Sequence, residues 1–128
     1  MTPTTCPFCQ LREDQCVIIT QHIRAFRDQF PISKGHTLII PRRHVASIFE
    51  LQEDELQEIW QAVALARQQL QGEFKPDAFN IAVNYGAAAG QTVPHAHVHV
   101  IPRYAGDVPD PRGGVRWIIP AKADYWSK

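Results

Sequence analysis

Three histidines fall on alternate residues in the stretch Gly90-Gln91-Thr92-Val93-Pro94-His95-Ala96-His97-Val98-His99-Val100-Ile101-Pro102-Arg103. Side chains alternate between the faces of an extended strand, which predicts His95, His97 and His99 on one face and Ala96, Val98 and Val100 on the other. Neighbouring imidazoles would then stand roughly 7 Å apart at their Cα atoms, with His97 flanked on both sides. Imidazole has a reference pKa of about 6.5, so near neutral pH much of it offers a bare nitrogen as nucleophile and needs no separate base. Just upstream, Gly90-Gln91-Thr92 supplies a flexible turn, amides and a hydroxyl, donors that suit a phosphate oxygen. A phosphate site beside a histidine row points to phosphoryl chemistry. A plain polar strand face and a metal-binding tract are the competing readings of the same spacing.

A second constellation is Cys6-Pro7-Phe8-Cys9, whose two-residue spacing lets both thiolates reach one tetrahedral ion. A redox pair is the weaker reading because no βαβ unit follows it, and simple burial of two free thiols is the other alternative. With Cys16 the chain has three cysteines, which cannot all pair internally, and a reducing compartment discourages disulfides.

The elements that must position these groups follow from composition and pattern. A chain of 128 residues with 45% hydrophobic content suits a single core and one domain. Lys plus Arg and Asp plus Glu both number 13, so the chain lacks the basic field of a nucleic-acid partner. Apolar runs such as Val17 to Ile19 and Thr37 to Ile40 are far too short for a bilayer, and no signal-like hydrophobic region opens the sequence, so the expected setting is cytoplasmic. Around Cys6 to Leu11 a turn enters a short helix. Strands are predicted over Val17–Gln21, Ile23–Phe26 and His36–Ile40, the last ended by Pro41. A helical turn falls within Val45–Leu51. An amphipathic helix follows from Asp54 to Leu70, its apolar face drawn from Leu56, Ile59, Trp60, Val63, Ala66 and Leu70, with Trp60 in the core and Gly72 with Pro76 ending it. A fourth strand spans Ala78–Asn84, the histidine strand is the fifth, and Pro102 closes it. Beyond Gly106 the chain reads as irregular, with a short strand at Val115–Ile119. Five strands in hairpin-like order around one long helix make an α+β domain with a largely antiparallel sheet.

The run His95-Ala96-His97-Val98-His99-Val100-Ile101 resembles the signature of the histidine triad (HIT) family of nucleotide hydrolases and transferases. Ala25-Phe26-Arg27-Asp28-Gln29-Phe30-Pro31, Gly35-His36-Thr37-Leu38-Ile39-Ile40-Pro41 and Arg42-Arg43-His44 fall where that family has its other landmarks. The resemblance covers roughly residues 6 to 105. It implies the same fold, a HIT domain over residues 1–106, and a homodimer in which two sheets join. Residues 107–128 form a tail packing on the same domain or on the partner.

The resemblance also assigns roles. His97 is the nucleophile toward the α-phosphorus of a nucleotide, forming a nucleotidyl-imidazole intermediate. His36 and His99 belong to the same hydrogen-bonded cluster, and Gln91, Thr92 and His99 donate to phosphate oxygens. Asp28, otherwise a turn residue, accepts both ribose hydroxyls; Phe8, Leu11, Phe26 and Leu38 wall the base; Asn84 lies near the ribose and phosphate. Once His36, His97 and His99 are given to catalysis, His44 and His95 remain to complete a structural zinc site with Cys6 and Cys9, as in HIT relatives that carry the paired cysteines. No organic cofactor is implied. Ala89-Gly90-Gln91-Thr92-Val93 with Pro102-Arg103-Tyr104-Ala105-Gly106-Asp107 is more similar to the dinucleoside-polyphosphate-cleaving branch than to the phosphoramidase branch. A purine nucleotide, adenine before guanine, is the expected substrate. A nucleotide-binding module without catalysis and a zinc-dependent regulatory domain are the alternatives from other classes, and Arg112 and Arg116 are candidate cations for a polyphosphate leaving group.

Overall fold

The computed structural model describes residues 1–127. Five strands, β1 (Cys16–Ile19), β2 (Ile23–Arg27), β3 (Thr37–Pro41), β4 (Ala78–Ala82) and β5 (Val98–Arg103), form one sheet in the order β1-β2-β3-β5-β4, each neighbouring pair antiparallel. The long helix α1 (Glu53–Phe74) lies between β3 and β4 in sequence and packs on β2, β3 and β5. Ile23, Ala25, Ile39, Val98 and Val100 of the sheet meet Ile59, Ala62, Val63, Ala66 and Leu70 of the helix, all buried. The intervening residues point the other way: Phe26, Leu38 and Ile40 join Cys6 and Phe8 in a second cluster. Period-two alternation thus divides each central strand between a helix face and a site face. On the site face the register sets Phe26 opposite Leu38 and Leu38 opposite His99, one row across three strands.

Several boundaries differ from the sequence expectation. In place of the short helix expected around Cys6 to Leu11 there is a series of turns, followed by a 3-10 helix at Glu13–Gln15. Helix α1 runs through Gly72 and stops at Lys75, whose φ of 54° is left-handed, just before Pro76. Glycine inside a helix weakens it only modestly, whereas proline forbids continuation. Trp60 is 49% exposed rather than buried, because the face packed on the sheet is Ile59, Val63, Ala66 and Leu70, one position around the helix. The described residues of the tail contain no strand; they form a 3-10 helix (Gly114–Ile118) and a one-turn helix α2 (Pro120–Ala123). Both tail arginines are engaged there. Arg112 pairs with Asp110 at 2.9 Å and lies over Trp126, while Arg116 donates to the carbonyls of Lys122 and Ala123. That disposition gives no support to a polyphosphate role for them. No helix among the described residues is long and apolar enough to cross a membrane.

Candidate active site

The second half of the histidine row behaves as the alternation demands, and the first half does not. β5 begins at Val98; residues 93–95 form a bend, in which the His95 amide donates to the Val93 carbonyl and the Ala96 amide to Val45. The strand geometry needed to align three rings is therefore absent at His95. His97 and His99 remain neighbours with ring centroids 5.1 Å apart, but the other aromatic against His97 is Phe8, at 5.2 Å. His95 turns toward the amino-terminal segment instead, fully buried, with Phe8 edge-on at 5.7 Å. His95 therefore does not share one strand face with His97 and His99, contrary to what alternation alone predicts.

Hydrogen bonds determine which nitrogen of each ring carries a proton. The carbonyl of His95 can only accept, and it lies 2.8 Å from His97 Nδ1, so that nitrogen is protonated and Nε2 of the neutral ring is bare. The Ile32 amide can only donate, and it points at His36 Nδ1 from 3.2 Å. His36 therefore carries its proton on Nε2 and donates it to His99 Nδ1 at 3.0 Å, which leaves the His99 proton on Nε2. Burial holds both rings in the neutral form this chain requires. It lowers the His36 pKa, against a smaller opposing effect of Asp28, and lowers that of His99 to about 4, assisted by its neighbours His97 and His36. Asp28 Oδ2 lies 3.5 Å from His36 Nε2, and Oδ1 accepts from the Phe30 amide at 2.9 Å, so the carboxylate is fixed at the end of β2.

His97 and His99 line a cleft of about 800 Å3 on the site face. The residues expected to wall a base, Phe8, Leu11, Phe26 and Leu38, all border it, as do Asp28, Asn84 and Thr92. His36 stands behind His99, 3% exposed. Gln91 is turned into its own loop: its Oε1 accepts from the Gly86 amide, and its Nε2 donates to the carbonyls of Ala46 and Val93. It braces the turn that presents Thr92 and does not border the cleft. Val93 and Phe30 border it without having been singled out. Val93 had a detectable signal, an apolar residue at the mouth of the histidine run. The Ile32 amide and the Pro41 and His95 carbonyls had none, because main-chain groups are independent of residue identity.

The four predicted metal ligands converge. Cys6, Cys9, His44 and His95 place their donor atoms within 4.8 Å of one another. Cys9 Sγ is 3.2 Å from His44 Nδ1 and 3.5 Å from His95 Nδ1, Cys6 Sγ is 3.6 Å from His95 Nδ1, and the two Nδ1 atoms are 3.3 Å apart. Ligands about 2.0 to 2.3 Å from a tetrahedral zinc stand roughly 3.3 to 3.8 Å apart, so the observed separations fit that ion. His95 Nε2 donates to the Pro41 carbonyl at 2.8 Å, leaving Nδ1 free to bind metal, the outer-shell contact typical of ligating histidines. Arg43, beside His44, makes two hydrogen bonds to the buried Glu55, at 3.0 and 2.8 Å, tying that loop to the start of α1. All three cysteines are free thiols. Burial and the adjacent Cys6 raise the Cys9 pKa to about 11 in the absence of an ion.

Comparison with known proteins assigns the family. The HIT domain model matches residues 11–106, and the chain belongs to the HIT family. A HIT family protein of Bacillus anthracis is 39% identical, with a TM-score of 0.75 over 83% of this chain and 78% of that one. A zinc-bound histidine triad family protein of Mycobacterium smegmatis is 28% identical, with a TM-score of 0.75 over 85% of this chain and 86% of its own. Among curated relatives, the asymmetrical bis(5'-nucleosyl)-tetraphosphatase of Schizosaccharomyces pombe is 42% identical over 83 residues, 65% of this chain and 46% of that protein.

Proposed function

We propose that this protein hydrolyses dinucleoside polyphosphates at the α-phosphate through a nucleotidyl-His97 intermediate. The observation that carries the reading is the bare Nε2 left on His97 by the His95 carbonyl, beside a ring whose Nε2 proton is fixed by His36 and Ile32. Nε2 of His97 forms a bond to the α-phosphorus as the bond to the departing nucleotide oxygen breaks. The His99 Nε2 proton and the Thr92 hydroxyl supply donors to the non-bridging oxygens, where donors contribute most to phosphoryl transfer. Water then attacks the phosphorus, releases a nucleoside monophosphate and regenerates the imidazole. Phe8, Leu11, Phe26 and Leu38 hold the purine and Asp28 accepts from the ribose hydroxyls. The name of the fission-yeast relative supports the choice of leaving group.

Zinc is proposed for Cys6, Cys9, His44 and His95, where it would hold the amino terminus to β3 and β5 without taking part in the reaction, and a cytoplasmic setting would keep the thiols reduced. A homodimer with joined sheets is proposed on the open edge of β4, where Ile81 is 46% exposed, and on the exposed Trp60 and Leu65 of α1.

The test is to incubate the purified protein with diadenosine tri- and tetraphosphate and adenosine phosphoramidate and to resolve the products. Preferential release of AMP from the polyphosphates is expected; preference for the phosphoramidate would replace the substrate. His97→Ala is expected to lower turnover by several orders of magnitude with AMP affinity changed only a few fold. Retention of a tenth of wild-type turnover would remove His97 as nucleophile.

A further inference from the structure

Arg24 sits in an apolar strand between Ile23 and Ala25 and is only 9% exposed. Its neighbours in β2 pack under α1, so alternation sends Arg24 to the site face with Phe26, beneath the amino-terminal segment. A buried guanidinium normally meets a carboxylate, yet no acidic group among the described residues pairs with this one. Nη1 instead donates to the Leu11 carbonyl at 2.9 Å and Nη2 to the Phe8 carbonyl at 3.3 Å, while Nε is buried without a partner. The two acceptors belong to the two apolar side chains, Phe8 and Leu11, that the base reading places in the cleft wall, and the amino-terminal segment that carries them has no strand pairing to hold it. One planar fork spans both carbonyls, which a lysine ammonium, a point donor, does not reproduce.

We propose that Arg24 is the positioning residue of the base-binding wall, a clamp that sets Phe8 and Leu11 against the purine without touching the reacting atoms. The proposal rests on the nucleotide reading of the cleft. A residue acting in this way changes recognition of the base and leaves the phosphate chemistry largely intact.

The experiment compares wild type with Arg24→Lys and Arg24→Met. For diadenosine triphosphate hydrolysis KM is expected to rise about tenfold while kcat falls by less than about threefold. In competition, AMP affinity is expected to weaken about tenfold and ribose 5-phosphate affinity, which lacks the base, by less than about twofold. Equal weakening of both ligands, or unchanged AMP affinity in folded protein, would overturn the assignment. Hydrogen exchange in the ligand-free protein supplies a readout independent of nucleotide: residues 8–11 should exchange faster in the variants while β3 and β5 keep their protection. Unchanged exchange there would also overturn it. If wild type binds no AMP, the purine reading fails and exchange alone still decides the clamp. If Arg24→Met does not fold, Arg24→Lys decides in its place.

Discussion

Replacing His36 by leucine should slow the chemical step without loosening substrate binding. The perturbation removes the Nε2 proton donated to His99 Nδ1 over 3.0 Å. The neutral His99 ring is then free to move its own proton to Nδ1, toward the Asp28 carboxylate, which clusters with His36 and His99 within 4.8 Å and can only accept. That shift strips the Nε2 proton from the side of the ring available to a phosphate oxygen. Loss of one preorganised donor to developing charge lowers kcat by about 10² to 10³, or roughly 2.7 to 4 kcal/mol, and partial retention of the original tautomer places the expectation for His36→Leu on the order of 10². Glutamine can accept from the Ile32 amide through its carbonyl and donate to His99 through its amide, so His36→Gln should recover most of the loss. The assay is steady-state hydrolysis of diadenosine triphosphate by separation of AMP and ADP, with 15N shifts of the His99 ring reporting its tautomer. Equal loss in both variants, or a rise in KM in place of a fall in kcat, would refute the proton-relay reasoning.

Asp28→Ala is expected to weaken AMP by roughly 1.5 to 3 kcal/mol and 2'-deoxy-AMP by less, since a carboxylate accepting from ribose makes charge-assisted bonds; calorimetric titration with both sugars checks the narrowing of the ribose preference. Metal analysis should find about one zinc per chain, and Cys9→Ser should lower the melting temperature by several degrees while turnover of folded protein changes less. The His99 pKa is lowered to about 4 by burial, so the unfolded chain takes up a proton near pH 6.5 that the folded chain refuses until about pH 4. Stability should therefore be intact above pH 6.5 and fall by about 3 kcal/mol as pH drops across that window, with the like-signed shifts of His36 and His95 adding to the loss. Urea unfolding at pH 7, 5.5 and 4.5 measures it, and a His99→Asn variant should show a shallower decline.

The sheet and the long helix were legible because burial imposes a period: Ile23, Ala25, Ile39, Val98 and Val100 alternate with site-face residues as their pattern required. Trp60 was misplaced because a helical stripe is about 100° wide and its margin is set by packing, which residue type does not encode. In the site, the pairing of Phe26 with Leu38 followed from the hairpin-like order of the early strands, whereas the step from Leu38 to His99 did not, because β5 lies between β3 and β4 and departs from that order. The orientation of His95 did not, since it depends on where β5 begins and on the bend over residues 93–95. Gln91 was similarly opaque: its amide suits a phosphate as well as it suits a carbonyl, and only the closed loop shows that the carbonyls of Ala46 and Val93 take it. In the tail, the strand expected at Val115–Ile119 finds no strand to pair with among the described residues, and local 3-10 bonds serve the backbone instead.

His95 divides its duties between main chain and ring. The carbonyl sets the proton on His97, while the imidazole closes the cysteine knuckle. Any L-residue supplies that carbonyl, so at position 95 the proposed reaction constrains the backbone path, and the knuckle constrains the side chain. At positions 97 and 99 the proposed chemistry constrains the ring itself. The knuckle and the proposed reaction are consequently separable by substitution: a chain could shed the proposed metal ligands, replace His95 and repack the amino terminus while preserving the contact that keeps the His97 Nε2 bare. Tolerance at His95 in a variant library would thus report on anchoring of the amino terminus and would carry no information about the route of the phosphoryl group.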